Sequence, residues 1–169
     1  MANTFELIAS STVGALGASN ISFTSIPSTY TDLVLYTSVR SLVAGYGTDM
    51  NITLNGSTSS FSSRRIYAYS GTVYSDTQTN VSGVVNGATS TASIFASNYL
   101  YFPNYAGATN KSYMIDGVIE NNSSTAYLPE LSANLWSNTA AITSITVADA
   151  TGANLVQYSS AYLYGVKNA

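Results

Sequence analysis

Polar and apolar residues alternate along most of this chain, and the period is two. From Asp32 to Arg40, Leu33, Leu35, Thr37 and Val39 share one face, opposite Asp32, Val34, Tyr36, Ser38 and Arg40. Asp49 to Leu54 sets Asp49, Asn51 and Thr53 against Met50, Ile52 and Leu54. Lys111 to Glu120 sets Tyr113, Ile115, Gly117 and Ile119 against Ser112, Met114, Asp116, Val118 and Glu120. Tyr158 to Val166 puts Ser159, Ala161, Leu163 and Gly165 on one side and three tyrosines on the other. Such alternation over short runs marks half-buried antiparallel strands.

Further strands are predicted at Phe5–Ala9, Ile21–Ile26, Arg65–Ser70, Ile94–Phe102, Thr125–Leu135 and Ile142–Val147. Turn residues separate them, among them Asn55-Gly56, Ser70-Gly71, Asn86-Gly87 and Thr151-Gly152. About ten short strands at this spacing predict an all-β antiparallel sandwich, jelly-roll-like, in one domain over residues 1–169. The stretch 71–93 is rich in Gly, Ser, Thr and Asn and shows no period, so it reads as a long excursion between strands. Long loops in compact domains often bind, which makes this excursion a place to look for recognition. Only three prolines and few lysines guard the sheet edges, so neighbouring subunits are expected to cover them.

Composition sharpens the picture. Charged residues make up 8% of the 169-residue chain, against roughly a quarter in an ordinary soluble domain. A monomer usually keeps itself soluble with charge of both signs; this chain offers hydroxyls, amides and phenols instead, a surface suited to being occupied. The net charge is −3, and the cations are Arg40, Arg64, Arg65, Lys111 and Lys167. They form no patch that could track phosphates, which argues against nucleic acid as a partner. No apolar run approaches the length of a membrane helix, so no membrane partner is expected. Met1 to Ser10 has no basic segment and carries Glu6, so it does not read as a signal peptide.

Cysteine and histidine are both absent. That removes disulfides, thiolate and imidazole metal ligands, and the imidazole base of Ser or Cys nucleophiles. Paired acids could still cleave sugars. Asp116 and Glu120 share a strand face but lie roughly 13 Å apart along it, beyond the ~5 to 9.5 Å such enzymes use. Asp49, Asp76 and Asp149 sit near turns, where Asp bonds nearby backbone. Asp149 with Thr151-Gly152-Ala153-Asn154 has too few carboxylates for a dedicated calcium loop. Asn-x-Ser/Thr triplets such as Asn51-Ile-Thr and Asn80-Val-Ser follow from the composition. The chain therefore reads as a non-enzyme with no cofactor and no metal.

Tyrosine, present 14 times, carries the strongest signal. Tyr67 and Tyr69 project from one strand face, Tyr99 and Tyr101 from another, and Tyr158, Tyr162 and Tyr164 from the last. Such residues pack across strands, make wet subunit contacts, or stack on sugar rings; all three readings stand at this stage. Trp136, following Leu131, Ala133 and Leu135, reads as a core anchor at a strand end.

Several stretches resemble a family of small, mostly uncharacterised virion structural proteins of tailed bacteriophages, frequent in marine and cyanobacterial phages. The resemblance lies in Ile21-Ser-Phe-Thr-Ser-Ile-Pro-Ser-Thr-Tyr-Thr-Asp-Leu-Val-Leu, Asn51-Ile-Thr-Leu-Asn-Gly, Tyr101-Phe-Pro-Asn-Tyr and Lys111-Ser. It continues in Leu135-Trp-Ser-Asn-Thr-Ala-Ala-Ile-Thr-Ser-Ile-Thr-Val and the closing Tyr162-Leu-Tyr-Gly-Val-Lys. It implies a jelly-roll-like sandwich in a virion, assembled in the host cytoplasm, and brings no catalytic or binding residues with it. The leading expectation is a capsid decoration (cement) protein: a homo-oligomer, with a trimer favoured, seated on the major capsid protein or other virion proteins. The alternative is a tail or fibre module recognising host-surface glycan through the tyrosines and the 71–93 stretch.

Overall fold

The computed structural model describes residues 4–79, 81–122 and 128–167, and among them are twelve strands and no helix. The first six are β1 (Phe5–Thr12), β2 (Asn20–Phe23), β3 (Asp32–Val39), β4 (Gly47–Leu54), β5 (Phe61–Tyr69) and β6 (Thr72–Gln78). The rest are β7 (Val81–Asn86), β8 (Ala96–Phe102), β9 (Lys111–Ile119), β10 (Leu128–Trp136), β11 (Ile145–Asp149) and β12 (Ser160–Val166). All strand–strand pairings are antiparallel. Eight strands form one sheet in the order β1-β12-β3-β8-β9-β10-β5-β6, and four form the second, β2-β11-β4-β7. The all-β sandwich expected from the alternation is what the chain adopts.

The topology has a simple logic. With the hairpins β5–β6 and β9–β10 set aside, the remaining strands pair as nested couples: β1 with β12, β2 with β11, β3 with β8, β4 with β7. Both hairpins join the larger sheet beyond β8, with β10 pairing β5. That sheet therefore reaches past the smaller one.

Alternation decides what each strand buries. Leu33, Leu35 and Val39 of β3, Leu100 and Phe102 of β8, Ile115 of β9 and Leu163 of β12 point inward from the large sheet. Ile21, Phe23, Ile52, Leu54, Ile145 and Val147 meet them from the small one. Each such side chain contributes about 1.5–3 kcal/mol when fully removed from water. Trp136 ends β10 fully buried and stacks on Phe61, ring centroids 6.0 Å apart, the strand-end anchor its sequence position predicts. Phe102, Tyr105, Ile142 and Val147 are buried in the same way.

Polar side chains also join the sheets. Asn98 of β8 accepts the Val84 N–H and donates to the Val84 carbonyl, both at 2.8 Å, so its amide behaves as one more backbone partner for β7. Gly117 makes room for it, since a Cβ there would meet Asn98 Oδ1 at 2.5 Å.

Three expectations need correction. The stretch 71–93 is not an excursion, because it contains β6 and most of it pairs: β6 with β5, and β7 with β4. β6 is an edge strand with few buried positions, whereas Gly83 to Asn86 of β7 are all buried; neither arrangement produces a period of two. The strand count rises from about ten to twelve for the same reason. Tyr158 does not lie on a strand face: it occupies the turn before β12 with φ 72°. The start of the strand predicted at Thr125 falls outside the described residues, and β10 is described from Leu128.

Candidate functional site

The broadest surface without a covering layer is the outer face of the eight-stranded sheet. Register aligns one residue from each strand into a row: Ser10, Tyr162, Tyr36, Tyr99, Asp116, Leu131, Ile66 and Ser75. A neighbouring row runs Leu7, Tyr164, Val34, Tyr101, Met114, Ala133, Arg64 and Thr77. The β12–β3–β8 half is therefore aromatic and the β10–β5–β6 half aliphatic.

On the aromatic half, Tyr36 packs against Tyr99 at 5.3 Å between centroids and edge-on to Tyr164 at 6.0 Å. Tyr36 and Tyr162 remain 45% and 41% exposed. The Tyr101 hydroxyl donates to the Asp32 carboxylate at 2.8 Å, and that bond, with burial, raises the phenol above its ordinary range. Burial raises Tyr99 likewise. These phenols stay protonated and neutral at any physiological pH, so they present ring faces and hydroxyls. On the aliphatic half Ile66, Val73, Val118 and Leu131 are exposed. A trough of about 490 Å³ runs there between Arg64, Ile66, Ser75, Thr77, Leu131 and Ala133.

A second, smaller cluster lies on the opposite face, where β5 and β6 overhang the small sheet. Arg65 reaches Asp49 at 2.6 Å, Asp76 at 2.7 Å and Glu130 at 3.1 Å. Burial works against the charged guanidinium, but the bonds to Asp76 and Asp49 outweigh it and hold Arg65 above its ordinary pKa. The hydrogen bond from Arg65 holds the Asp76 carboxyl low, whereas burial pushes Glu130 up despite Gly83 and Arg65 pulling it down. Tyr67 lies under the Arg65 guanidinium at 4.8 Å and stacks on Tyr74, while Tyr69 stacks on Tyr46. Among the described residues no group of three or more acidic side chains is placed to hold a metal ion; the acids here are occupied by Arg65.

The seven tyrosines singled out from the sequence thus separate into three places. Tyr99, Tyr101, Tyr162 and Tyr164 come together on the outer face; Tyr67 and Tyr69 lie on the reverse face, and Tyr158 sits in its turn. Sequence reasoning missed Tyr36, which completes the aromatic row, and the aliphatic half altogether. Tyr36 had a legible signal, since it alternates with Leu35 and Thr37. Ile66, Leu131, Val73 and Val118 became one patch only through register between strands distant in sequence.

Charge is distributed to the same effect. Arg40 donates to the carbonyls of Ala88, Ser90, Thr91 and Ile94. Lys111, almost fully buried, donates to those of Gly107, Thr109 and Thr139. Lys167 pairs with Glu6 on the surface at 3.0 Å. Arg64 and Asp116 of the outer face have no ion-pair partner among the described residues, nor does Glu120 just past the end of β9.

Comparison with protein-family models, curated proteins and solved structures finds no match for this chain. The fold defines a class by architecture: a two-sheet antiparallel sandwich whose larger sheet has one wide, sparsely charged face on which no further layer of the described residues packs.

Proposed function

We propose that this chain is a structural protein of a tailed-bacteriophage virion, and within it a capsid decoration protein that stabilises the head lattice. The observation that carries this reading is the outer face, with exposed tyrosines and aliphatics spread across the sheet and few charges, among them Arg64 and Asp116. A contiguous apolar surface of that breadth marks a protein–protein contact. The tailed-phage resemblance supplies the setting, and the nested pairing of β1 with β12 through β4 with β7 supports a jelly-roll reading of the sandwich, an architecture common in viral capsid domains. The role is mechanical: each subunit bridges neighbouring capsomers, burying on the order of 1,000 Å² or more at each contact.

Titration onto undecorated phage heads tests this. Binding should saturate at a fixed number of subunits per lattice axis, and purified virions should contain hundreds of copies. Absence of binding at every concentration overturns it.

One observation favours a second reading, a tail or fibre module that recognises host-surface glycan. Tyr162, Tyr36 and Tyr99 stand side by side on neighbouring strands, a platform on which sugar rings can stack. Selective retention on a host-polysaccharide array, lost on Tyr36→Ser with Tyr99→Ser, together with a few to a few tens of copies per virion, would replace the decoration reading with this one.

A further inference from the structure

Arg64 and Asp116, which have no ion-pair partner among the described residues, are arranged about a symmetric point. Asp116 of β9 pairs in register with Leu131 of β10, and Ala133 of β10 pairs with Arg64 of β5. Asp116 therefore lies on one side of β10 and Arg64 on the other, one step further along the strand. Two strand spacings and a two-residue rise separate their backbones by roughly 12 Å. The midpoint falls over β10, between Leu131 and Ala133.

We infer that the β9–β10–β5–β6 portion of this face is the docking surface for a second copy of the chain, arranged as a two-fold pair. A two-fold axis lying in the plane of contact, over that midpoint and perpendicular to the Arg64–Asp116 line, brings Arg64 of each copy to Asp116 of the other. The same operation lays Ile66 and Leu131 of the two copies against one another. The surface is thus complementary to itself in charge and apolar at its centre, as an isologous contact requires. Four strands at about 4.8 Å and seven to nine residues at about 3.4 Å give a flat footprint of roughly 500 Å². Side-chain relief and the adjoining tyrosines bring this toward the ~800 Å² per partner of a standard interface. The trough beside Arg64 receives the side chains of the facing copy.

The edge strand β6 strengthens the case for a neighbour on this side. Val73 is exposed on the docking side, whereas Tyr74 stacks on Tyr67, and Asp76, the one charge of β6, is held by Arg65, both on the reverse face. Neither lysine nor proline interrupts it, so its outer surface continues the apolar patch without a charged rim.

This inference names the partner for part of the face on which the decoration reading rests, and a two-fold pair takes the place of the trimer expected from the sequence. The test is sedimentation equilibrium of the full chain over a concentration series, using charge exchange. The wild-type chain should sediment as a dimer. Arg64→Asp alone and Asp116→Arg alone each place like charges opposite one another and should weaken association about tenfold or more. Combining Arg64→Asp with Asp116→Arg should restore it. Circular dichroism of each variant confirms folding, and Leu131→Ser, which keeps both charges, serves as an independent disruption of the apolar centre. A wild-type chain that remains monomeric overturns the inference, as does a dimer unmoved by the exchanges. Head titration is a separate readout: failure to bind heads removes the decoration role and leaves the pair intact, while a monomer that saturates heads does the reverse.

Discussion

Glu130 of β10 and Gly83 of β7 tie the two sheets together, the carboxylate Oε1 accepting the Gly83 N–H at 2.7 Å. The other oxygen takes Arg65 at 3.1 Å, so a single buried acid joins the small sheet to the hairpin that overhangs it. Replacing Glu130 with Ala leaves the Gly83 N–H without its acceptor and Arg65 short of one acid. Glu130→Ala is expected to cost about 2–4 kcal/mol. Glu130→Gln keeps an acceptor for Gly83 and removes a charge that burial disfavours, so its cost should be less than half as large. Urea unfolding of the two variants measures the difference.

The same cluster sets how stability responds to acid. Arg65 depresses the Asp76 carboxyl, so the stability this bond gives is present above the ordinary carboxylate pKa and is lost as pH falls through the depressed one. Glu130 has the opposite sign: its raised pKa means that protonation is favoured by the folded state, and its contribution grows as pH falls. Asp76→Asn removes the first effect and leaves the second. The variant should lose less stability than the wild type as pH falls below the ordinary carboxylate range, as read from urea midpoints.

Lys111 gives a third test. Its ammonium is surrounded by backbone carbonyls, and burial pulls its pKa down. Those carbonyls belong to the turns after β8 and after β10, so the side chain ties two loops at one end of the sandwich. Lys111→Met fills similar space and supplies no donor; the expected cost is about 2–4 kcal/mol. Hydrogen exchange should quicken first around residues 104–110 and 137–142.

At Gly117 the constraint is space. A methyl group there meets Asn98 Oδ1 and, at 3.2 Å, Val84 Cγ2, and Asn98 cannot retreat without giving up its two bonds to Val84. Gly117→Ala should destabilise by about 1–3 kcal/mol. In combination with Asn98→Ala the two costs should add to less than their sum, because the clash and the bonds share one side chain. A thermal-melt double-mutant cycle checks this.

Much of the fold was legible where one side of a strand meets the core and the other meets water. β3 and β9 show it: Leu33, Leu35, Thr37 and Val39, and Tyr113, Ile115 and Ile119, are buried as their alternation indicates. β6 and β7 were illegible for opposite reasons, one with few buried positions and the other buried across Gly83 to Asn86. The surface was harder to read. Tyr67 and Tyr99 occupy similar alternating contexts, yet they face opposite sides of one sheet, since facing depends on which partners each strand finds. Asp116 shares a strand face with Glu120 but lies too far from it along the strand to form a catalytic pair. In the fold its informative relation is with Arg64, across two strands and 52 positions of sequence, a distance no local pattern spans.

The nested pairing has a consequence for when the protein can exist. β1 is completed only by β12, and β2 only by β11, so the first strands of the chain wait for the last. Until residues 160–166 have left the ribosome, β1 lacks a partner and β3 has one open side. Such distant pairings fold slowly, in about milliseconds to seconds. The full eight-strand width of the outer face is therefore assembled only once residues 160–166 are available, and a nascent chain that has not reached them does not yet carry it. A ribosome-arrested chain ending before Ser160 should be digested readily by protease, whereas the released chain resists.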